Sequence, residues 1–142
     1  MRKVLLDTNV VLDFALKREP FYKDAQTIVK EIADGNMQGY ITASMATDIF
    51  YLLQRTNGKA FARNTFPDLV IILDILSVFR EDVYAAIQLE WDDFEDALQA
   101  QIAVRNDMDA IITRNTSDFQ KIKKIKVLTP KEFIADIDIP KL

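Results

Sequence analysis

Four aspartates far apart in the chain, Asp7, Asp48, Asp96 and Asp118, carry the chemistry this sequence offers. Asp7 and Asp118 follow apolar runs that read as strands, Val4 to Leu6 and Ala110 to Thr113, while Asp48 and Asp96 stand near the starts of expected helices. In an open parallel α/β sheet, strand ends and the following helix starts meet along one edge, and ligands bind there. Carboxylates gathered at such an edge repel one another unless a cation lies between them, and Mg2+ and Mn2+ favour oxygen donors. The expected chemistry is metal-dependent attack on phosphodiester bonds.

The inventory of side chains narrows the choice further. The chain has no histidine and no cysteine, which excludes Ser-His-Asp and Cys-His mechanisms, thiolate or histidine-ligated zinc, and disulfides. Catalysis must rest on carboxylates, hydroxyls, amides or lysine. A net charge of -4, from 18 basic and 22 acidic residues, does not by itself mark a nucleic-acid binder. Acids concentrated at one site, however, leave the remaining surface closer to balance.

The elements that must position these groups follow from periodicity. With 142 residues, 49% of them hydrophobic, the chain is expected to form one domain, 1–142, with a substantial core. Charged residues at 28% and the lack of low-complexity runs argue against global disorder. No signal segment and no membrane-spanning run is read, so the expected location is cytoplasmic.

Lys3 to Leu6 reads as a doubly buried strand and Thr8 to Leu16 as a helix, with Asn9 and Asp13 on one face. Pro20 opens an amphipathic helix through Ala25, Ile28, Val29 and Ile32, stopping near Gly35. Gly39 to Thr42 is the second strand, and Thr42 or Ser44 caps a helix to about Arg55. The stretch Ala60 to Leu76, interrupted by Pro67, reads as two helices or a kinked pair, and Ser77 to Phe79 as a third strand. Helices follow over Glu81 to Leu89 and Phe94 to Asn106, with strands at Ala110 to Thr113 and Lys126 to Leu128. Lys121, Lys123, Lys124 and Lys126, alternating with Ile122 and Ile125, suit an edge kept soluble by charge. Thr129-Pro130-Lys131-Glu132 has capping-box spacing with proline at the first helical position. The alternation implies an α/β fold: a central parallel sheet of about five short strands flanked by helices in three layers.

The run Val4-Leu5-Leu6-Asp7-Thr8-Asn9-Val10-Val11-Leu12-Asp13, together with Ala110-Ile111-Ile112-Thr113-Arg114-Asn115 and Asp118-Phe119, resembles the PIN-domain ribonucleases, including VapC-type toxins of toxin–antitoxin pairs. The resemblance covers almost the whole chain. It implies hydrolysis of RNA by a water activated by Mg2+ or Mn2+, with Asp7, Asp48 and Asp96 holding the metal directly or through water and Asp118 completing the pocket. Asn9, Ser44 and Thr113 would position water or phosphate, Asn115 would be a weaker polar contributor, and Asp13 would support the ligands from behind. Arg55 and Arg114 would meet RNA phosphates. A homodimer and an antitoxin protein are the implied partners.

The chain departs from the family pattern at two positions: Asp48 where glutamate is most frequent, and Asn115 where aspartate is frequent. These departures sustain an alternative, a catalytically degenerate PIN-like domain that binds RNA or protein without cutting. For Asp96, a solvated acidic face shared with Glu90, Asp92, Asp93 and Glu95 is the competing reading; for Asp118 it is a turn cap. A haloacid-dehalogenase phosphatase would need an acid where Asn9 stands, and a receiver domain a late lysine that is not convincingly placed.

Overall fold

The computed structural model describes residues 1–119 and 122–137. Its organising element is β1 (Lys3–Leu6), whose Leu5 faces one side of the sheet and whose Val4 and Leu6 face the other, all three fully buried. A strand buried on both faces must carry an apolar run rather than an alternating one, which is why Val4-Leu5-Leu6 was legible. On one side β1 pairs with β2 (Gln38–Thr42), and on the other with β4 (Ala110–Ile112). The edges are β3 (Asp74–Leu76) beyond β2 and β5 (Lys126–Leu128) beyond β4. All pairings are parallel and the order is β3-β2-β1-β4-β5, so the expected five-stranded, three-layer α/β fold is the one observed.

Among the described residues, seven helices cover this sheet. On the face of Val4 and Leu6 lie α1 (Thr8–Ala15), α2 (Tyr22–Ala33), α3 (Ala46–Asn57), α4 (Lys59–Ile72) and α7 (Pro130–Asp136). On the face of Leu5 lie α5 (Arg80–Leu89) and α6 (Phe94–Arg105), where Ala97, Ala100, Ile102 and Ala103 form an apolar stripe against Ile111 and Phe119. A short 3-10 turn, Ala43–Met45, links β2 to α3. Gly39 permits close helix–sheet packing, since a Cβ there would collide with Ile32 and Leu73. Gly58, at φ 93, turns α3 directly into α4, a backbone region that favours glycine.

Two expectations fail. The third strand is Asp74–Leu76 rather than Ser77 to Phe79: Leu76 pairs with Thr42, and only Leu76 of its three residues is buried, so the apolar signal of a central strand is missing. Residues 59–72 form one helix with Pro67 inside it, not two. The packing of Ala62, Leu69 and Phe66 against Leu53 and Phe50 holds the helix together, although proline removes one ladder hydrogen bond. As expected, Lys123, Lys124 and Lys126 are exposed at or near the β5 edge; Lys121 lies outside the described residues.

Candidate functional site

Walking outward from β1, the chain proceeds to β2 and β3 on one side; β4 and β5 lie on the other. The direction reverses between β1 and β4, and in open α/β sheets the crevice beyond that switch point is the ligand site. Asp7 ends β1 at this point, and Thr113 follows β4 beside it. The Asp7 amide donates to the Ile112 carbonyl at 2.9 Å, continuing the ladder one residue past the strand and fixing the base of the side chain.

The Asp7 carboxylate is 8% exposed and held by four donors. The Thr8 amide donates to Oδ1 at 2.8 Å and the Thr113 hydroxyl to Oδ2 at 2.7 Å. Asn9 Nδ2 reaches Oδ2 at 3.3 Å, and Gln99 Nε2 reaches Oδ1 at 3.2 Å. Thr113 Oγ1 in turn accepts from the Asn115 amide at 3.0 Å. Asp7 is also the N-cap of α1, so the capping role and a place at the ligand edge coincide in one residue.

Asp7 opens onto a cleft of about 620 Å³ that also contains Asp48, Asp96 and Asp118. The four sequence-selected acids, spread over more than a hundred residues of chain, therefore share one cavity. Asp48 comes from the first turn of α3, Asp96 from the first turn of α6 and Asp118 from a 3-10 turn after β4. Ser44, Asn9 and Asn115 line the same wall, the Ser44 hydroxyl lying 2.7 Å from that of Thr42.

Two acids outside the sequence-predicted set, Asp93 and Glu95, belong to this cleft as well. Asp93 Oδ1 accepts the Asp96 amide at 3.0 Å as the α6 N-cap. The crowding has a measurable consequence. Burial, followed by repulsion from Asp93, Asp7, Asp118 and Glu95, pushes the Asp96 carboxyl up to about 7. Glu95 is likewise pushed up to about 7, first by its hydrogen bond to Asp48 and then by partial burial and the surrounding charges.

The basic wall is built differently from expectation. Asp13 does not face the cleft; it is fully buried behind it and clamps two arginines. Arg18 Nε donates to Asp13 Oδ1 at 2.9 Å and Arg114 Nε to Oδ2 at 2.8 Å. Arg114 also lies over the Phe21 ring, 3.9 Å from its centroid. Both arginines line the cleft, whereas Arg55, exposed in the last turn of α3, does not.

The donor set suits a hard, hydrated cation. Every candidate ligand is an oxygen, and positive charge would relieve the repulsion that raises Asp96 and Glu95. Among the described residues, no three acidic side chains converge tightly enough to hold a bare ion between them. The arrangement thus suits ligation in part through water, as is usual for Mg2+.

An α/β sheet with this switch-point cleft and acidic lining defines a class, and comparison with known proteins identifies it. Residues 3–117 match the family model described as PIN domain, and the chain belongs to that family. No curated protein sequence matches it. Among solved structures it is similar to DNA-bound VapBC from Salmonella typhimurium, with 15% identity over 92% of this chain and 99% of that one and a TM-score of 0.72. A toxin–antitoxin complex from Klebsiella pneumoniae shares 21% identity over 89% and 97% of the two chains, TM-score 0.68. The sarcin-ricin loop cleaving toxin VapC20 of Mycobacterium tuberculosis shares 12% identity over 86% and 98%, TM-score 0.68. At these identities the likeness is one of fold.

Proposed function

We propose that this PIN-domain protein is a ribonuclease dependent on Mg2+ or Mn2+, and the toxin of a toxin–antitoxin pair. The observation that carries the proposal is the meeting of Asp7, Asp48, Asp96 and Asp118 in one cleft at the β1–β4 switch point. PIN-family proteins are nucleases, and this cleft supplies the all-oxygen donor set that such chemistry needs.

Asp7, Asp48 and Asp96 would hold the cation, with Asp118 completing the pocket. A bound cation lowers the pKa of a water and offsets charge on the phosphate under attack. The chain's own part is orientation. Four donors prevent the Asp7 carboxylate from rotating, and Asn9 and Asn115 bring further polar groups to the wall. Arg18 and Arg114 would take RNA phosphates, since each spends part of its guanidinium on Asp13 and is held in place by it. Thr113 acts through Asp7, and Asp13 through the arginines.

The fold shared with VapBC and with the Klebsiella toxin–antitoxin complex supports an antitoxin partner. Exposed Ile71, Tyr84 and Ile87 supply apolar surface for a homodimer or for that partner. Among the described residues no helix is long and apolar enough to cross a membrane.

The test is cleavage of a mixed, structured RNA pool by wild type and Asp7→Asn, each with Mn2+ or chelator. Cutting that needs Mn2+ and disappears in the variant is expected. Binding of RNA without cutting under any condition would instead favour the degenerate, binding-only domain that Asp48 and Asn115 keep in view.

A further inference from the structure

Gln99 is the one polar residue in the buried run Ala97-Leu98-Gln99-Ala100 of α6 and is only 4% exposed. It stands one turn beyond Asp96, on the same side of the helix, and lines the acidic cleft. Its Nε2 donates to Asp7 Oδ1 at 3.2 Å. Its Oε1 is buried, and no group among the described residues donates to it. Turning the amide over would place Oε1 against the Asp7 carboxylate, two acceptors face to face, so this assignment of O and N is the favourable one.

A buried acceptor without a donor destabilises the empty fold, and native structures keep few of them. Leucine or methionine would fill the same place in the α6 stripe without that cost. The donor end of the amide is accounted for by Asp7; it is the unpaired acceptor end that points to a donor arriving with a ligand. Gln99 lines the cleft, yet its Oε1 is out of contact with solvent, so the donor has to be small, and a single water admitted by a shift of the neighbouring carboxylates meets that requirement.

We propose that Gln99 is a positioning residue of the cation site. Its Nε2 fixes the Asp7 carboxylate, and its Oε1 accepts a hydrogen from a water bound to the cation. One rigid amide thus orients both a ligand and part of the hydration shell, in the way that groups behind metal ligands do elsewhere. This inference rests on the metal-dependent reading above.

The experiment titrates Mn2+ alone into the full chain by calorimetry, with Tm in chelator measured alongside, for wild type, Asp7→Asn, Gln99→Met and Gln99→Glu. Gln99→Met keeps the length and discards both polar atoms. Its Tm in chelator is expected to stay within a few degrees of wild type, the lost hydrogen bond to Asp7 being offset by removal of the unpaired acceptor, while its Mn2+ Kd weakens about tenfold or more. Gln99→Glu retains an acceptor but sets a further carboxylate beside Asp7. It should bind Mn2+ at least as tightly as wild type, from a lower Tm in chelator and with a larger Mn2+-induced rise. If wild type binds Mn2+, Asp7→Asn does not, and Gln99→Met binds as wild type does, the Gln99 inference falls while the metal site stands. A Gln99→Met protein with a markedly lower Tm in chelator would show the amide to be structural and overturn the inference. Wild type that binds no Mn2+ overturns the metal reading itself.

Discussion

Replacing Asp96 by asparagine should make the metal-free protein more stable, because the crowded carboxylate works against the fold. Asp96 is held at about 7, against 3.8 for the free side chain, by burial and by its acidic neighbours. Between those two values the folded protein keeps a proton that the unfolded chain has released. Stability therefore falls as pH rises through that window and stays low above it. At about 1.36 kcal/mol per pH unit the full penalty is about 4 kcal/mol. Solvent around the half-buried group and the freedom of exposed acids to swing away reduce it to about 2 kcal/mol.

Asparagine is isosteric and removes the charge. The hydrogen bond that Asp96 makes to Asp93 runs from its backbone amide and survives the change. In chelator at pH 8 the variant should exceed wild type by about 2 kcal/mol, or about 7 °C in Tm for a chain of this size. The difference should shrink steadily below pH 7 and vanish near pH 4. Thermal unfolding followed by circular dichroism at half-unit pH steps measures it. A variant less stable than wild type at pH 8, or a difference independent of pH, would refute the electrostatic account of the cleft. Adding Mn2+ should reverse the order, stabilising wild type and sparing the variant little or nothing.

Three further perturbations probe the scaffold around the cleft. Arg105→Leu strips Asp82, whose side chain is 1% exposed, of hydrogen bonds at 2.7 and 2.9 Å, and should cost about 3 kcal/mol in urea unfolding at pH 7. Burial pushes Asp82 up, but Arg105 and the Phe79 amide outweigh it and hold the carboxyl below 3.8. The wild-type pair therefore stabilises above that pH and weakens as pH falls below it, which urea titrations at pH 7 and pH 3 would register. Thr113→Val removes the shortest hydrogen bond to Asp7 and the acceptor of the Asn115 amide; a loss of about 1–3 kcal/mol is expected, with slower RNA cleavage in a single-turnover assay. Gly39→Ala would drive a methyl into Ile32 and Leu73, lowering stability by about 1–3 kcal/mol, with unchanged Tm counting against the tight helix–sheet contact.

The acids that sequence reading found and those it missed differ in a physical way. Asp7, Asp48 and Asp96 were legible because each begins a helix after a strand or loop with its own local signal. Glu95 and Asp93 carry no signal that separates them from a solvated acidic face, since the face that α6 turns to the cleft depends on how it packs over Leu5 and Ile111. Gln99 carried a signal that went unused: an amide inside an alanine-rich buried stripe needs a partner, and none is near it in sequence. Asp13 shared a helical face with Asn9, which suggested the site, but its partner Arg114 lies 101 residues away.

Local chemistry in the sequence was enough to determine the chain's class, its alternation of strands and helices, the absence of histidine and thiol mechanisms, and the carboxylates as the candidate site residues. Doubly buried strands must be apolar throughout, and helix starts select capping residues, so these features are written in short stretches. The order β3-β2-β1-β4-β5, the edge position of Asp74–Leu76 and the survival of one helix across Pro67 were decided by tertiary packing. So were the arginine pair anchored on Asp13 and the crowding that raises Asp96 and Glu95 to about 7. Each of these depends on groups distant in sequence meeting in space, and the energies that select among such meetings belong to the packed structure rather than to any segment of it.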